Sequence, residues 1–369
     1  MPKEYTKVYF VTGGGTGGHI YPAMAVADAL IERGCKVYYV GNKRNMEFHL
    51  AQEKGYKFLH VGVSAMPRKL NPKFFYWGLR LFRAVLYSIK YIKKYKPNAV
   101  FATGGYVSAP MLFACRVTKT PYVMHDCDAM PGLVTRKLSR RAVCVSLAFE
   151  KAKKYIQNKK IMVAGNPIRA EFKTLTKDEA RCRLGLQNKL TLTVMGGSQG
   201  AKTINNAAVE ILKEMIQDYN LQVIFQTGKK NYDELLEKIK YIYPAWEQDG
   251  GVVLKPYFDD MISVLKASDI VISRAGSLSL SEICASGCAS ILVPYPYAAA
   301  NHQRINAKYM LENGASVYVE DKDFEPNRLR EILISIINNP VKMSYLKQNA
   351  AYLAKYDATE KIVECMSGI

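Results

Sequence analysis

A histidine follows a run of glycines near the start of the sequence, in the stretch GGGTGGHIYP at residues 13–22. The stretch lies between a β-branched and aromatic run at residues 8–12, typical of a buried strand, and an amphipathic pattern at residues 23–34, typical of a helix with Pro22 in its first turn. An imidazole has an ordinary pKa of about 6.5 and can accept a proton from a hydroxyl group at neutral pH. His19 is therefore a candidate general base, the alternative being a purely structural histidine.

A second glycine run, GGSQGA at residues 196–201, also joins a predicted strand to a predicted helix. Unpaired N–H groups at the start of a helix favour a phosphate, so this turn is a candidate phosphate site. Neither run is a P-loop, because the Lys-Ser/Thr ending is missing. The first run matches the dinucleotide fingerprint, but no acid ends the next strand and the nearest is Glu47. The sequence therefore argues against a dehydrogenase.

Strand-like runs alternate with helical patterns along the whole chain of 369 residues. Such alternation predicts βαβ units and parallel sheets, and the length predicts two domains. We expect an α/β protein of two Rossmann-like, doubly wound domains at residues 1–165 and 166–340, joined by the Pro-containing stretch GNPIRAEF. Ligands of such folds bind at the carboxyl ends of the strands, and we expect a site in a cleft between the domains.

The positive charge is confined to one half of the chain. Residues 1–165 contain 28 Lys and Arg against 8 Asp and Glu, whereas residues 166–369 contain 24 of each. This distribution indicates an acidic partner of the first domain: nucleic acid, an anionic membrane surface or a phosphorylated substrate. The eight cysteines form no CxxC pair, which predicts free thiols rather than disulfides or a zinc site.

The segment at residues 67–97 is basic, rich in aromatic residues and free of acids. Six apolar positions follow helical spacing and are predicted to pack in the core: Leu81, Phe82, Val85, Leu86, Ile89 and Ile92. The aromatic cluster at residues 74–77 instead predicts contact with a membrane interface, where basic residues add attraction to anionic lipids. Nucleic acid would explain the charge but not the glycine turns, and we expect none to bind.

The sequence contains no apolar run long enough to span a bilayer and no secretory signal at its start. Together with the basic aromatic segment, this predicts a cytoplasmic protein bound peripherally to the inner face of the cell membrane. It also predicts salt-sensitive binding to anionic vesicles.

Six motifs occur in an order that resembles the MurG family of glycosyltransferases: GGGTGGHIYP, TGGYVSAP at 103–110, GNPIR at 165–169, GGSQGA, RAGSLSLSE at 274–282 and NHQRINA at 301–307. The resemblance implies a GT-B fold and the inverting transfer of N-acetylglucosamine from its UDP donor to lipid I, forming lipid II in peptidoglycan synthesis. Lipid I is undecaprenyl-pyrophosphoryl-N-acetylmuramyl-pentapeptide, and the acceptor is its sugar 4-hydroxyl. The resemblance further implies no cofactor or metal, a helix at 341–369 that packs on the first domain, and other proteins of cell-wall synthesis as candidate partners.

The resemblance also implies roles for individual residues. Those assigned to UDP-N-acetylglucosamine are Arg169, Gly197, Ser198, Gln199, Gly200, Tyr257, Phe258, Met261, Ser277, Leu278, Glu282, His302 and Gln303. Those assigned to the acceptor are Gly14, Gly15, Thr16, Gly17, Gly18, Tyr106, His125 and Asp128, with His19 as the base. Glu282 would accept hydrogen bonds from the ribose hydroxyls, although its place in a predicted first helical turn, with Ser279 or Ser281 as cap, also suits a capping role.

Two questions remain at this point, the role of Asp128 and the identity of the reaction. Asp128 replaces the asparagine usual in the family, which puts its contact in doubt because a carboxylate only accepts hydrogen bonds. The change also creates an Asp-x-Asp pattern that could hold a metal ion, which activity in a chelator would test. A diacylglycerol glycosyltransferase or a UDP-sugar epimerase would share the glycine turns, and product analysis would distinguish them.

Overall fold

The computed structural model describes residues 7–67, 72–197 and 199–369. Ser198 and Asn71, the latter predicted to cap the helix of the basic aromatic segment, lie outside the described residues. The chain forms two compact units, each built on one parallel sheet with helices on both faces. The predicted class, two Rossmann-like α/β domains, is confirmed. The eight cysteines are free thiols, as predicted.

The first unit is built on a seven-stranded sheet of order β3-β2-β1-β4-β5-β6-β7. Its strands are β1 (Val8–Thr12), β2 (Lys36–Gly41), β3 (Lys57–His60), β4 (Ala99–Ala102), β5 (Tyr122–Asp126), β6 (Cys144–Leu147) and β7 (Ile161–Val163). Its helices before the second unit are α1 (Gly17–Glu32), α2 (Met46–Glu53), α3 (Pro72–Tyr95), α4 (Gly105–Thr118) and α5 (Leu133–Leu138). Short 3₁₀ turns follow at Ser139–Arg141 and Glu150–Tyr155.

Both faces of this sheet are buried, which explains the continuous apolar strands. On β1, Phe10 packs with α3 and α4 on one face, whereas Tyr9 and Val11 pack with α1 on the other. All three side chains are fully buried. The carboxyl ends of β1, β4 and β5 meet at one edge, where the loops that follow them come together.

Helix α1 begins earlier than the sequence indicates. It starts at Gly17 after an extended Thr16, so Gly17, Gly18 and His19 form its first turn. Pro22 consequently lies inside the helix, one turn later than predicted. Because proline lacks an N–H, it removes one backbone hydrogen bond there, and the glycines upstream tolerate this irregular start.

The second unit is built on a six-stranded sheet of order β10-β9-β8-β11-β12-β13. Its strands are β8 (Thr191–Met195), β9 (Gln222–Gln226), β10 (Val252–Lys255), β11 (Ile270–Ser273), β12 (Ala289–Leu292) and β13 (Val317–Tyr318). Its helices are α6 (Glu171–Thr174), α7 (Lys177–Arg183), α8 (Lys202–Glu210), α9 (Leu212–Gln217), α10 (Tyr232–Ile242), α11 (Met261–Ala267), α12 (Ser277–Ser286), α13 (His302–Glu312), α14 (Pro326–Ile337) and α15 (Pro340–Leu353).

The chain returns to the first unit through its last helix, α16 (Ala358–Ser367). The second unit comprises Ala170–Ala354, so the returning segment begins at Lys355 rather than at 341. The difference arises because α15 buries Leu346 and Ala350 within the second unit. Helix α16 instead packs Ile362, Val363 and Met366 beside α1.

Helix α3 is less buried than its apolar spacing predicts. Ile92 is buried, and Leu81 and Ile89 pack against the core, as expected. The prediction for Phe82 and Leu86 is wrong, because these side chains are 60% and 50% exposed. Ala84 and Ser88 occupy the face that meets α4, and small residues there allow close approach without burying the whole apolar stripe.

Candidate active site

The glycine turn after β1 is packed tightly against the loop after β4. A Cβ on Gly13 would lie 2.1 Å from the Thr103 Oγ1 atom, so this position excludes any side chain. The Thr103 hydroxyl donates a hydrogen bond of 2.7 Å to the His19 carbonyl. Thr103 thereby fixes the first turn of α1 to the neighbouring strand, and with it the backbone that carries the His19 imidazole.

The His19 side chain is half-buried at this edge of the sheet. Its Nδ1 atom lies 3.8 Å from the Cys127 thiol, and a Cβ on Gly105 would approach its Cδ2 atom to 3.1 Å. Burial lowers the pKa of His19, an effect opposed by the nearby Asp128 carboxylate. The imidazole is therefore neutral at neutral pH and can accept a proton.

Other residues predicted to bind the acceptor lie near His19. Gly15 adopts a left-handed conformation with φ of +86°, and a Cβ there would come within 2.9 Å of the Tyr106 ring. The Tyr106 hydroxyl accepts a hydrogen bond of 3.0 Å from Asn45 Nδ2. Thr16 is exposed at the start of α1. The structure thus brings Gly15, Tyr106, Asp128 and His19 to one edge of the sheet.

Glu47 supports the glycine turn from below, a role that the sequence did not reveal. Its buried carboxylate accepts hydrogen bonds from the backbone N–H groups of Gly15 and Asn42, at 3.2 and 3.1 Å, and from Asn45 Nδ2 at 3.0 Å. A Cβ on Gly14 would lie 2.6 Å from the Glu47 carboxyl carbon. Glu47 follows β2 closely in sequence, near the position where an acid would bind the ribose in a dinucleotide-binding fold. Only the structure shows that its partners are instead groups of the neighbouring turns.

We expect Glu47→Ala to loosen the glycine turn. The substitution leaves three donors without their acceptor, and each buried unsatisfied group costs about 1–3 kcal/mol. The free energy of unfolding should fall by roughly 3 kcal/mol. Because the resemblance assigns this turn to the acceptor, the KM for that acceptor should rise more than the KM for the donor. Denaturant unfolding and steady-state kinetics measure both.

Glu53→Ala is the matched control, because Glu53 lies on the same helix and is exposed. It should leave stability and both KM values near those of the unaltered protein. Equal losses in the two variants would contradict a specific role for Glu47.

His125 lies inside the first unit rather than at its edge. Its side chain is fully buried, with Nδ1 3.1 Å from Ser146 Oγ and Nε2 3.0 Å from Asn166 Oδ1. Burial lowers its pKa to about 4, so the ring is neutral. The predicted contact of His125 with the acceptor is therefore corrected: both ring nitrogens are engaged, and the residue ties β5 to β6 and to the GNPIR connection.

The Asp-x-Asp pattern at residues 126–128 has a structural explanation. The two carboxylate oxygens of Asp126 accept hydrogen bonds from the N–H groups of Asp128 and Gly132, at 3.2 and 3.0 Å. Burial raises the pKa of Asp126 to about 7. Asp126, Cys127 and Asp128 have ligand atoms within 4.8 Å of one another. However, both Asp126 oxygens already accept backbone hydrogen bonds from the turn that leads into α5, which explains the Asp126 carboxylate without a metal ion.

In the second unit, the glycine turn after β8 is packed against the turn after β9. Gly200 has φ of +76°, and a Cβ there would lie 2.1 Å from the Thr227 carbonyl oxygen. Asn231 Nδ2 donates to the Gln199 carbonyl at 3.4 Å. Gly197 and Gln199 are exposed, so this part of the turn faces solvent. The other side of the turn packs against Thr227 and Asn231.

Gln226 connects this turn to the loop after β10. Its Nε2 atom donates to the Gly197 carbonyl at 3.3 Å, and its Oε1 atom accepts from the Phe258 N–H at 3.0 Å. Phe258 is buried, while Tyr257 and Met261 are half-buried at the start of α11. One amide side chain thus connects the glycine turn predicted to bind phosphate with the loop that carries Tyr257 and Phe258. The sequence analysis did not identify Gln226.

Helix α12 begins at Ser277 after an N-cap at Gly276, so the prediction of Ser279 or Ser281 as cap is wrong. Glu282 lies in the second turn of this helix, with only 9% of its surface exposed. The Ser281 hydroxyl instead bonds back to the Ser277 carbonyl at 3.1 Å. Capping therefore does not explain Glu282. Ser277 and Leu278 form the first turn of α12, and their assignment to the nucleotide stays a prediction.

His302 and Gln303 begin α13, directly after two residues in left-handed conformations. Ala300 and Asn301 have φ of 51° and 54°, an arrangement that is strained for residues other than glycine. The Gln303 Oε1 atom accepts from the Tyr295 N–H at 2.9 Å, which leaves its Nε2 group to donate elsewhere. Arg169 is the last residue of the first unit, and its role stays a prediction.

Known proteins are similar to this chain over most of its length. The N-terminal domain of glycosyltransferase family 28 matches residues 9–147, and the C-terminal domain of the same family matches residues 191–362. These matches define the class of protein as a two-domain glycosyltransferase.

Two individual relatives show which family of glycosyltransferases the chain resembles. The UDP-N-acetylglucosamine–N-acetylmuramyl-(pentapeptide) pyrophosphoryl-undecaprenol N-acetylglucosamine transferase of Thermoanaerobacter sp. (strain X514) is 38% identical over 365 residues, covering 98% of this chain and 99% of its own. The crystal structure of Acinetobacter baumannii MurG superposes with a TM-score of 0.76 at 25% identity, covering 98% of this chain and 99% of its own. The chain belongs to the MurG family.

One comparison concerns the epimerase alternative. The UDP-GlcNAc 2-epimerase of Neisseria meningitidis, whose structure contains UDP-GlcNAc, has a TM-score of 0.70 at 14% identity. It covers 99% of this chain and 100% of its own. Likeness at that identity shows the fold alone, so it does not favour the epimerase.

Proposed function

We infer that this protein is the inverting glycosyltransferase that moves N-acetylglucosamine from UDP-N-acetylglucosamine to lipid I, forming lipid II. The observation that carries the inference is the 38% identity, over nearly the full length of both chains, to the Thermoanaerobacter transferase of that name. The diacylglycerol glycosyltransferase and epimerase alternatives lack a comparable relative among the matches described.

The geometry supports different roles for the two units: the first provides the base, and the second binds the leaving diphosphate. His19, half-buried and neutral, accepts the proton of the sugar 4-hydroxyl; Cys127 contacts Nδ1, which leaves Nε2 for the acceptor. The backbone N–H groups of the Gly196–Gly200 turn stabilise the departing UDP at the start of α8. Attack by the hydroxyl on the anomeric carbon, opposite the leaving diphosphate, inverts its configuration.

The test is transfer of radiolabel from UDP-N-acetylglucosamine to a lipid I analogue, with and without chelator. We expect a labelled lipid product, unchanged by the chelator. Label transferred to diacylglycerol instead, or epimerised donor formed without acceptor, would replace the proposed function by one of its alternatives. Loss of transfer in the chelator would indicate a metal requirement.

We also propose that α3 binds the protein peripherally to the inner face of the cell membrane. Phe75, Leu79, Phe82 and Leu86 share one helical face and are each at least half exposed. The opposite face buries Ala84, Ser88 and Ile92. None of the described helices is both long and apolar enough to cross a bilayer. An exposed apolar stripe on a basic helix is typical of an interfacial helix.

We expect Phe75→Ser combined with Phe82→Ser to weaken binding to phosphatidylglycerol vesicles. Each ring contributes part of the roughly 1.5–3 kcal/mol gained when a large apolar side chain leaves water, so affinity should fall by about tenfold or more. Raising the salt concentration should weaken binding of the unaltered protein as well. Vesicle sedimentation measures both effects.

Tyr241→Ser combined with Tyr352→Ser is the matched control, because these rings are 87% and 83% exposed on helices of the second unit. It should leave vesicle binding unchanged. Equal binding of the unaltered protein to neutral and anionic vesicles at low salt would contradict the proposal.

A further inference from the structure

Two exposed tyrosines lie in the loop that follows β12 in the second unit. Tyr295 is 46% exposed and Tyr297 is 82% exposed. Their ring centroids lie 5.6 Å apart at an interplanar angle of 72°, an edge-to-face contact. An exposed ring removes little apolar area from water, so the fold gains little stability from Tyr297. The two rings form one exposed aromatic surface, which we call the tyrosine platform.

The fold holds the Tyr295 end of the platform from two sides. The Arg274 guanidinium lies over the Tyr295 ring, 5.6 Å from its centroid. The same group donates to the carbonyls of Val293 and Pro294, at 3.0 and 3.3 Å. The Tyr295 N–H donates to Gln303 Oε1 at 2.9 Å. The backbone that carries the platform is therefore preorganised, which reduces the entropy lost when a ligand binds to it.

The same loop ends in strained backbone. Ala300 and Asn301 have left-handed conformations, which cost free energy in residues other than glycine. Strained segments of this kind cluster at ligand sites, where the surrounding structure holds a loop in one shape. The strain shortly after Tyr297 therefore supports a binding role for this loop.

Arg274 also connects the platform to the turn predicted to bind phosphate. It forms an ion pair with Asp321, whose other carboxylate oxygen accepts from the Thr203 hydroxyl at 3.3 Å. Thr203 lies in the first turn of α8, directly after the Gly196–Gly200 turn. The loops after β8, β11 and β12 also meet at one edge of the sheet, because these neighbouring strands are parallel. The platform therefore lies close to the predicted position of the diphosphate.

An exposed aromatic pair at this place is suited to a sugar. The faces of a pyranose ring consist largely of C–H groups, which leave water when the ring stacks on an aromatic side chain. The donor sugar is attached directly to the diphosphate, so it reaches groups beside the phosphate turn. Aromatic side chains that the fold leaves uncovered are typical of ligand sites. The chemistry of the platform thus matches the part of the donor that lies nearest to it.

We propose that the tyrosine platform binds the N-acetylglucosamine ring of the donor, which stacks on Tyr297 while Tyr295 supports Tyr297 from its edge. The proposal rests on the proposed function and adds two residues that the resemblance does not assign to the donor. Tyr297 contacts the sugar and transfers no proton, so it contributes to the affinity for UDP-N-acetylglucosamine. UDP, which has no sugar, does not contact Tyr297.

The test compares Tyr297→Ala with Tyr297→Phe and with the control Tyr241→Ala, using the full chain without acceptor. Tyr241 is 87% exposed on α10, away from the loops of the candidate site. Titration calorimetry measures the Kd of each protein for UDP-N-acetylglucosamine and for UDP. We expect Tyr297→Ala to bind UDP-N-acetylglucosamine about tenfold more weakly, because the stacked apolar area is lost. Its Kd for UDP should be unchanged, and the other two variants should match the unaltered protein for both ligands.

Four other outcomes would overturn the platform as a sugar site. The first is an unchanged Kd of Tyr297→Ala for UDP-N-acetylglucosamine, whether or not the KM for the acceptor rises. The second is an equal loss of affinity for UDP, which would show that Tyr297 supports the nucleotide site or the fold. The third is an equal loss in Tyr297→Phe, which retains the ring and lacks only the hydroxyl. The fourth is failure of the unaltered protein to bind either ligand, which would overturn the proposed function as well.

Failure of the proposed function alone gives a different result. The unaltered protein would then bind UDP-N-acetylglucosamine with the expected dependence on Tyr297 but transfer no label to lipid I. That result would support the platform as a donor-sugar site and overturn only the assignment of the acceptor.

Discussion

His19→Ala is expected to lower kcat for transfer to lipid I by roughly a hundredfold or more, in keeping with the usual contribution of a general base. The substitution removes the one imidazole at the edge of the first sheet where Gly15, Tyr106 and Asp128 gather in the described structure. Because the base acts in the transition state, the KM for either substrate should change much less than kcat. Initial rates with a lipid I analogue measure these constants.

The pH dependence of kcat/KM in the unaltered enzyme tests the role of His19 independently. Burial lowers the pKa of His19, so the neutral, proton-accepting form persists to lower pH than for a free imidazole. The acidic fall in kcat/KM should therefore lie below the ordinary histidine value of about 6.5, and it should vanish in the residual activity of His19→Ala.

His49→Ala is the control, since His49 is an exposed histidine on α2 of the same unit. It should retain the activity and pH profile of the unaltered enzyme. A loss below tenfold in His19→Ala, with substrate affinity unchanged, would remove His19 from the role of base.

Glu282→Gln is expected to reduce kcat/KM for UDP-N-acetylglucosamine by roughly a hundredfold, mainly through a higher KM. The resemblance implies that the buried Glu282 carboxylate accepts hydrogen bonds from the two ribose hydroxyls. In this variant the side chain is neutral, and its NH₂ group would point at hydroxyl groups that also donate. The unaltered enzyme should strongly reject a 2′-deoxyribose donor, because that donor lacks one of the two hydroxyls expected to donate to the Glu282 carboxylate.

The discriminating measurement is the ratio of kcat/KM for the ribose and deoxyribose donors. This ratio should collapse toward one in Glu282→Gln and stay large in Glu325→Gln, a variant of an exposed glutamate in the second unit. A variant that loses activity equally on both donors and unfolds at lower temperature would show that Glu282 is only structural.

Much of the architecture followed from the sequence because parallel strands buried on both faces are continuous apolar runs. Strands β3 and β13 escaped this reasoning. Both are edge strands: β3 has a half-exposed pattern, and β13 is only two residues long. Short edge strands bury one face at most and so carry no clear apolar signal.

The site was predicted less completely, for a physical reason. Motifs indicated His19, Tyr106 and the glycine turns, whose chemistry is visible in residue type and spacing. Glu47 and Gln226 support those turns from beneath, and their partners are backbone groups. Any residue type can provide a backbone N–H or carbonyl group, so such hydrogen bonds cannot be predicted from the sequence. His125 was assigned to the acceptor because nothing in the sequence shows that the buried side chains of Ser146 and Asn166 lie beside its two ring nitrogens.

The return of α16 to the first unit affects the order in which the protein can fold during synthesis. Ile362, Val363 and Met366 belong to the same core cluster as Tyr9 and Val11, although more than 350 residues separate the two ends of this cluster. The whole of the second unit, Ala170–Ala354, is synthesised before α16 is. The first unit is translated first, but its core is completed last. Until α16 packs against α1, the apolar face of α1 that α16 covers stays exposed and can be bound by chaperones.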